Sequence, residues 1–140
     1  MRMTGCPILA RVLILTLAIT SAPAAAQQLA GSEWRPTKIG DIKVPAGSEM
    51  FVRFGGEGKL EGHSGCNRFF GTFKLAGDGI EIGPLGVTRM ACSEPAVMER
   101  EVRFLEALQN ARQFMRDRID LSLTDNAGNP VVQLIQTDAD

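Results

Sequence analysis

Within the stretch "EGHSGCNRFFGTF", Glu61 to Phe73, the chain places its only histidine three residues before a cysteine and an asparagine directly after it. Three kinds of chemistry draw on such residues. A thiolate with a nearby imidazole is a nucleophile with its base, and Cys66, His63 and Asn67 supply the residue types for that trio. Sulfur and imidazole donors also bind zinc. A cysteine joined to a second cysteine, finally, is a staple and performs no reaction.

Spacing separates these readings. Residues three apart on an extended strand point to opposite faces, so only a bend at Gly65 could bring His63 to Cys66. A closed zinc site takes about four nitrogen or sulfur ligands. Past the first 26 residues the chain offers Cys66, Cys92 and His63, with no C-x-x-C pair and no second histidine. The 16 acidic residues form no patterned pair. There is no G-x-S-x-G, no Walker loop, and no G-x-G-x-x-G set between strand and helix. No catalytic residue, metal or cofactor is therefore assigned, and a non-enzyme is expected. Glycines at 62, 65 and 71 punctuate strands where a backbone must bend or pass another closely. Asn67 suits such a bend, since its side chain bonds local backbone groups. Together these make "SGCNRF" an architectural corner, tied by a Cys66–Cys92 bond to the start of the next element.

That bond needs an oxidising compartment, and the first 26 residues supply a route to one. Arg2 and Arg11 frame a short basic region, "VLILTLAIT" is an apolar core, and Ala24-Ala25-Ala26 offers a cleavage site before Gln27. The apolar run is shorter than the roughly 20 residues a membrane helix needs. Cys6 precedes the run instead of following it, so no lipid anchor is expected. The mature chain is expected to be soluble and periplasmic. Losing Arg2 and Arg11 leaves 13 basic against 16 acidic side chains, a net charge of −3. The signs are interspersed, which gives nucleic acid no basic face and a membrane no polybasic patch. The remaining 114 residues bury only a small core, so a staple helps. Closing a loop of roughly 27 residues adds about 3–4 kcal/mol on the chain-entropy account.

The elements that position the corner follow from turn signals and period. Residues 27–32 read as a flexible lead-in. "EWRPTKI" (33–39) is a first strand anchored by Trp34, with Pro36 marking an edge or bulge. "EMFVRF" (49–54), "KLEGHS", "RFFGTFKL" and "IEI" are further strands, with a hairpin at Ala76–Gly79 centred on Asp-Gly. "GPLGVTRMAC" is extended. The period then becomes helical: Ser93 caps a helix opened by Glu94 and Pro95, and Val97, Met98, Val102, Phe104, Leu105, Leu108 and Ala111 form its apolar stripe. "QFMR", "IDLSL" and "VVQLIQ" are the last strands, and residues 137–140 a polar tail. Strands, one helix, then strands predict an α+β domain: an antiparallel sheet curled into a partly open barrel packed against one main helix.

The runs "GHSGCNRFFGTF" (62–73), "IGPLGVTRMAC" (82–92), "EREVRFLEALQNARQF" and "IDLSLTDNAGNPVVQL" together resemble the META domain family, which includes HslJ-like heat-shock proteins of bacterial envelopes. The resemblance spans about Trp34 to Leu134. It implies the same curled sheet and helix, no enzymatic activity, and a link to envelope stress, heat shock or antibiotic tolerance. It carries over Gly65, Cys66, Asn67, Phe69 and Gly71, with Thr88, Met90 and Cys92, as structural residues. Many bacterial members have a lipid-anchor cysteine that this chain lacks. The expected partner is an unidentified envelope protein or a small apolar ligand, and the chain is expected to be a monomer. A second reading makes it a carrier of an apolar ligand or lipid between sheet and helix, lined by Met90, Met98, Phe104 and Met115.

Overall fold

The computed structural model describes residues 29–137. The expected signal segment, the first two residues of the lead-in and the last three of the tail lie outside them. Ten strands make one antiparallel sheet: β1 (Ser32–Ile39), β2 (Ile42–Lys43), β3 (Phe51–Phe54), β4 (Lys59–His63), β5 (Arg68–Ala76), β6 (Gly79–Ile82), β7 (Gly86–Val87), β8 (Gln113–Asp117), β9 (Asp120–Thr124) and β10 (Pro130–Gln136). Helix α1 (Pro95–Asn110) lies between β7 and β8. Eight strands follow one another around a ring in the order β1, β3, β4, β5, β6, β8, β9, β10, and β10 pairs back onto β1. The result is a closed antiparallel barrel. Short β2 and β7 are appended to β1 and β5.

Alternation decides which residues fill it. Phe114, Leu123, Val132 and Ile39 follow one another across β8, β9, β10 and β1, and all four are buried. Trp34 is fully buried on β1, as its size and position predict. A register shift between Pro36 and Lys38 is the expected bulge, and it returns Ile39 to the interior. The seam between β6 and β8 is the thinnest part of the ring, with Gly79 opposite Gln113 its one registered pair.

Several boundaries differ from the sequence reading. Within the lead-in, Leu29 is fully buried, its carbonyl accepts the Ser32 hydroxyl, and Gly31 donates to the Phe54 carbonyl. An isolated leucine in a polar stretch carries no period, so its burial leaves no pattern. At the other end Thr137 donates its N–H to the Glu33 carbonyl. The hairpin tip falls on Gly77, at φ 60°, and Asp78, because Ala76 already pairs with Gly79. Ser93 is not the helix cap; Glu94 is, its carbonyl accepting from Val97 and Met98, with Pro95 as the first helical residue. Proline pre-sets that first turn without a capping side chain.

The helix buries Phe104, Ala107, Leu108 and the following Ala111. Met98 and Val102, expected in the stripe, are 50% and 54% exposed. At 3.6 residues per turn they stand about 120° and 160° round from Phe104, on the solvent side. The Phe104 ring meets Phe69 of β5 edge to face, 5.9 Å between centroids. That contact fixes α1 against the motif strand.

Candidate functional site

Between β4 and β5 the chain turns through Ser64, Gly65, Cys66 and Asn67. Gly65 sits at φ 108°, a region that L side chains avoid. Cys66 is bonded to Cys92, with Cα atoms 5.9 Å apart and a sequence separation of 26. Both thiols are consumed, so neither is available as nucleophile or thiolate ligand. His63 turns away from that role too, its Nδ1 accepting the Gly65 N–H at 3.2 Å.

Asn67, 4% exposed, is the hub. Its Oδ1 accepts the Met90 N–H at 2.7 Å and the Thr88 hydroxyl at 3.1 Å. The same Thr88 oxygen accepts the Arg68 N–H at 3.0 Å. Asn67 Nδ2 donates to Glu101 Oε1 at 2.8 Å, and its backbone N–H to Glu101 Oε2 at 2.9 Å. Ser64 Oγ lies 2.6 Å from the same Oε2. One carboxylate on the helix therefore clamps both ends of the corner. Burial alone would raise the Glu101 pKa, but donors from Ser64, Asn67 and the Cys66 backbone together hold it below the ordinary value. The two sulfurs and a Glu101 oxygen lie within 4.8 Å of one another. With the sulfurs bonded to each other and the carboxylate already accepting these donors, the group is a clamp and not a metal centre in this state.

The META domain model matches residues 27–138, which is most of the chain. This chain belongs to the META domain family. It is similar to an NMR structure of a protein from Burkholderia xenovorans, at 26% identity and a TM-score of 0.67, covering 91% of this chain and 98% of that one. A second NMR structure matches at 23% identity and a TM-score of 0.63, over 78% of this chain and 92% of the other. A crystal structure of a DUF4847 family protein from Bacteroides vulgatus shares the fold at 17% identity and a TM-score of 0.57, over 83% and 99%. No curated protein matches the chain significantly.

The META motif residues can now be placed. Gly65, Cys66, Asn67, Thr88, Met90 and Cys92 meet at the clamp, the last three bringing the segment before α1 onto the corner. Phe69 faces the barrel interior under the helix. Gly71 lets the 84–85 segment lie against β5, since a Cβ there would press on the Leu85 side chain and Pro84 carbonyl. The proposed cavity residues do not converge. Met90 and Met115 are 67% and 69% exposed and Met98 is half exposed, while Phe104 is wholly buried in the core. The carrier's lining is thus corrected: three of its four residues face solvent, and the interior where the fourth sits is packed by the barrel's own side chains.

Glu101 is the clamp residue that the sequence alone does not single out. Its signal was available. It stands about 60° from Phe104 around the helix, on the buried side, where a charged residue requires partners.

Proposed function

We propose that this META domain is an exported, non-catalytic protein of the bacterial envelope that serves stress or antibiotic tolerance by binding, with Cys66–Cys92 as a structural staple. The observation that carries this reading is the fate of the motif's polar atoms. Asn67, Ser64, Thr88 and Glu101 are spent on one another, and no buried side-chain nitrogen or oxygen among the described residues lacks a partner. Groups tied to one another in this way position the corner's backbone, which is the work of a staple and clamp. Export is supported by the disulfide, by the A-x-A site at residues 24–26, and by a family match that begins at residue 27. No helix among the described residues is long and apolar enough to cross a membrane.

Two measurements test it. Non-reducing mass spectrometry of the exported protein should find a start near Gln27 and both thiols in one intramolecular link; free thiols there count against the staple. A gene-deletion strain should regain stress tolerance when given a Cys66→Ser, Cys92→Ser double variant at a temperature where that variant is folded. A folded variant that fails to restore tolerance would show that the sulfurs act chemically.

A further inference from the structure

The motif's other alternation faces outward. Strand pairing sets Phe51, His63 and Arg68 in one row across β3, β4 and β5, and Arg53, Glu61 and Phe70 in the next. Phe70 is 59% exposed on this face, its ring lying against Gly86 of β7 on one side. Between the rows, over the Gly62 backbone, runs a trough of about 390 Å³ bordered by Phe51, Arg53, Glu61, Arg68 and Phe70, the Glu61 carboxylate being held by Arg53. Arg53 is neutralised and held: Glu33 accepts from it at 2.5 Å, Glu61 at 3.0 Å, and its guanidinium lies 5.9 Å from the Phe51 ring centroid. Arg68 is different. Among the described residues no carboxylate pairs with its guanidinium, yet its backbone is pinned on both sides by Thr88.

We infer that this trough binds a planar aromatic carboxylate, its acid group on Arg68 and its rings against Phe70. The inference deepens the binding role proposed above and rests on it. A free guanidinium takes a carboxylate through two parallel hydrogen bonds, and an exposed phenyl ring gains by stacking on another ring. Arg68 and Phe70 are successive outward positions on β5, about 7 Å apart along the strand. A two-ring acid spans that distance where a single ring falls short. The volume also falls in the range of about 300–1,000 Å³ used by small ligands.

The test is titration of the mature, disulfide-bonded chain with naphthalene-2-carboxylate, followed by amide chemical shifts in solution NMR. Saturable shifts should centre on β3, β4 and β5 around Gly62. Cyclohexanecarboxylate (charge without a ring face) and naphthalene-2-methylammonium (rings with the opposite charge) should each bind about tenfold more weakly or worse. Arg68→Gln and Phe70→Ala should each weaken the naphthoate by about tenfold, while Arg103→Gln on α1 leaves it unchanged. The spectra report folding directly, and Arg68→Gln decides alone if Phe70→Ala disturbs the strand. Absent shifts, shifts elsewhere, equal binding of the controls, or undiminished binding by Arg68→Gln would each overturn the site. Should the probes fail while the chain still restores stress tolerance, the trough is refuted and the binding role stands.

Discussion

Glu101 carries more of the corner than either sulfur's neighbours do. Truncating it strands the Asn67 amide and backbone donors in a partly buried site, while the Ser64 hydroxyl keeps the Asn67 carbonyl as acceptor, so Glu101→Ala should lower stability by about 2–3 kcal/mol. Glu99→Ala, two residues earlier on the exposed side, should stay within about 0.5 kcal/mol. Urea denaturation of both variants checks this, and equal effects would remove Glu101 from its role. The charge gives a pH signature of known sign. The folded-state pKa lies below the ordinary 4.5, so the unfolded chain binds the proton more readily. The stabilisation is complete above about that ordinary value and is lost as pH falls through the lower, folded one. Asp125 is also held low, first by the Asn129 backbone N–H and then by its side chain, so acid sensitivity of the wild type alone is not diagnostic. The stability gap between wild type and Glu101→Gln is; it should shrink on acidification, and a gap constant with pH would refute the charged clamp. Cys66, Asn67 and Gly65 were legible as a corner because their residue types constrain backbone. Glu101 was hidden because a stripe read by hydrophobicity discards the charged residue inside it.

At the scale of elements, the strands were readable wherever one face is buried. "IDLSL" alternates and does become β9, with Leu121 and Leu123 inside. The helix exists as expected and Phe104, Leu108 and Ala111 of its stripe are buried, but the stripe is narrower than expected, since Met98 and Val102 are apolar and still face outward. Apolar residues on a surface are common and carry no phase information. The segment 83–94 was least legible, because its position is set by long-range partners: Thr88, Met90 and Cys92 all reach back to Asn67 or Cys66. Two kinds of tie hold this segment, which makes their relative weight measurable. Replacing both cysteines by serine should cost about 2–4 kcal/mol yet leave a folded chain, since the Asn67–Glu101 bonds remain. A reductant should reproduce that loss in the wild type and do nothing to the double variant. Full unfolding of the double variant at room temperature would mean the hydrogen bonds are secondary to the sulfur link. Leu29→Ala belongs here as well. It removes a fully buried side chain and should cost about 2–5 kcal/mol, whereas a true lead-in would tolerate it.

For the whole molecule the decisive feature is closure. β1 pairs β10 at five positions from Trp34 to Ile39, so the first and last strands of the domain lock each other and the fold has no long free edge. The ring is weakest elsewhere, at β6 and β8, strands that the chain reaches before and after α1. Beyond the single pair Gly79–Gln113, that seam is held by the Ile80 N–H on the Arg112 carbonyl and the Phe114 N–H on the Asp78 carbonyl. Sequence shows the strands on both sides but not how thin their joint is, because pairing across it follows from where the helix returns the chain. Thin joints open first, since few hydrogen bonds and little buried area are lost when they part. Native-state hydrogen exchange should therefore find the Ile80 and Phe114 amides exchanging through a partial opening, at a lower free energy than the β1–β10 ladder, which should exchange only on global unfolding. The opening should also be insensitive to Cys66→Ser, Cys92→Ser, because the staple fastens the corner at β4 and β5 and leaves the seam alone. Equal protection at the seam and at the β1–β10 ladder would instead mean that the barrel opens all at once, with the helix binding β6 and β8 as firmly as direct pairing would.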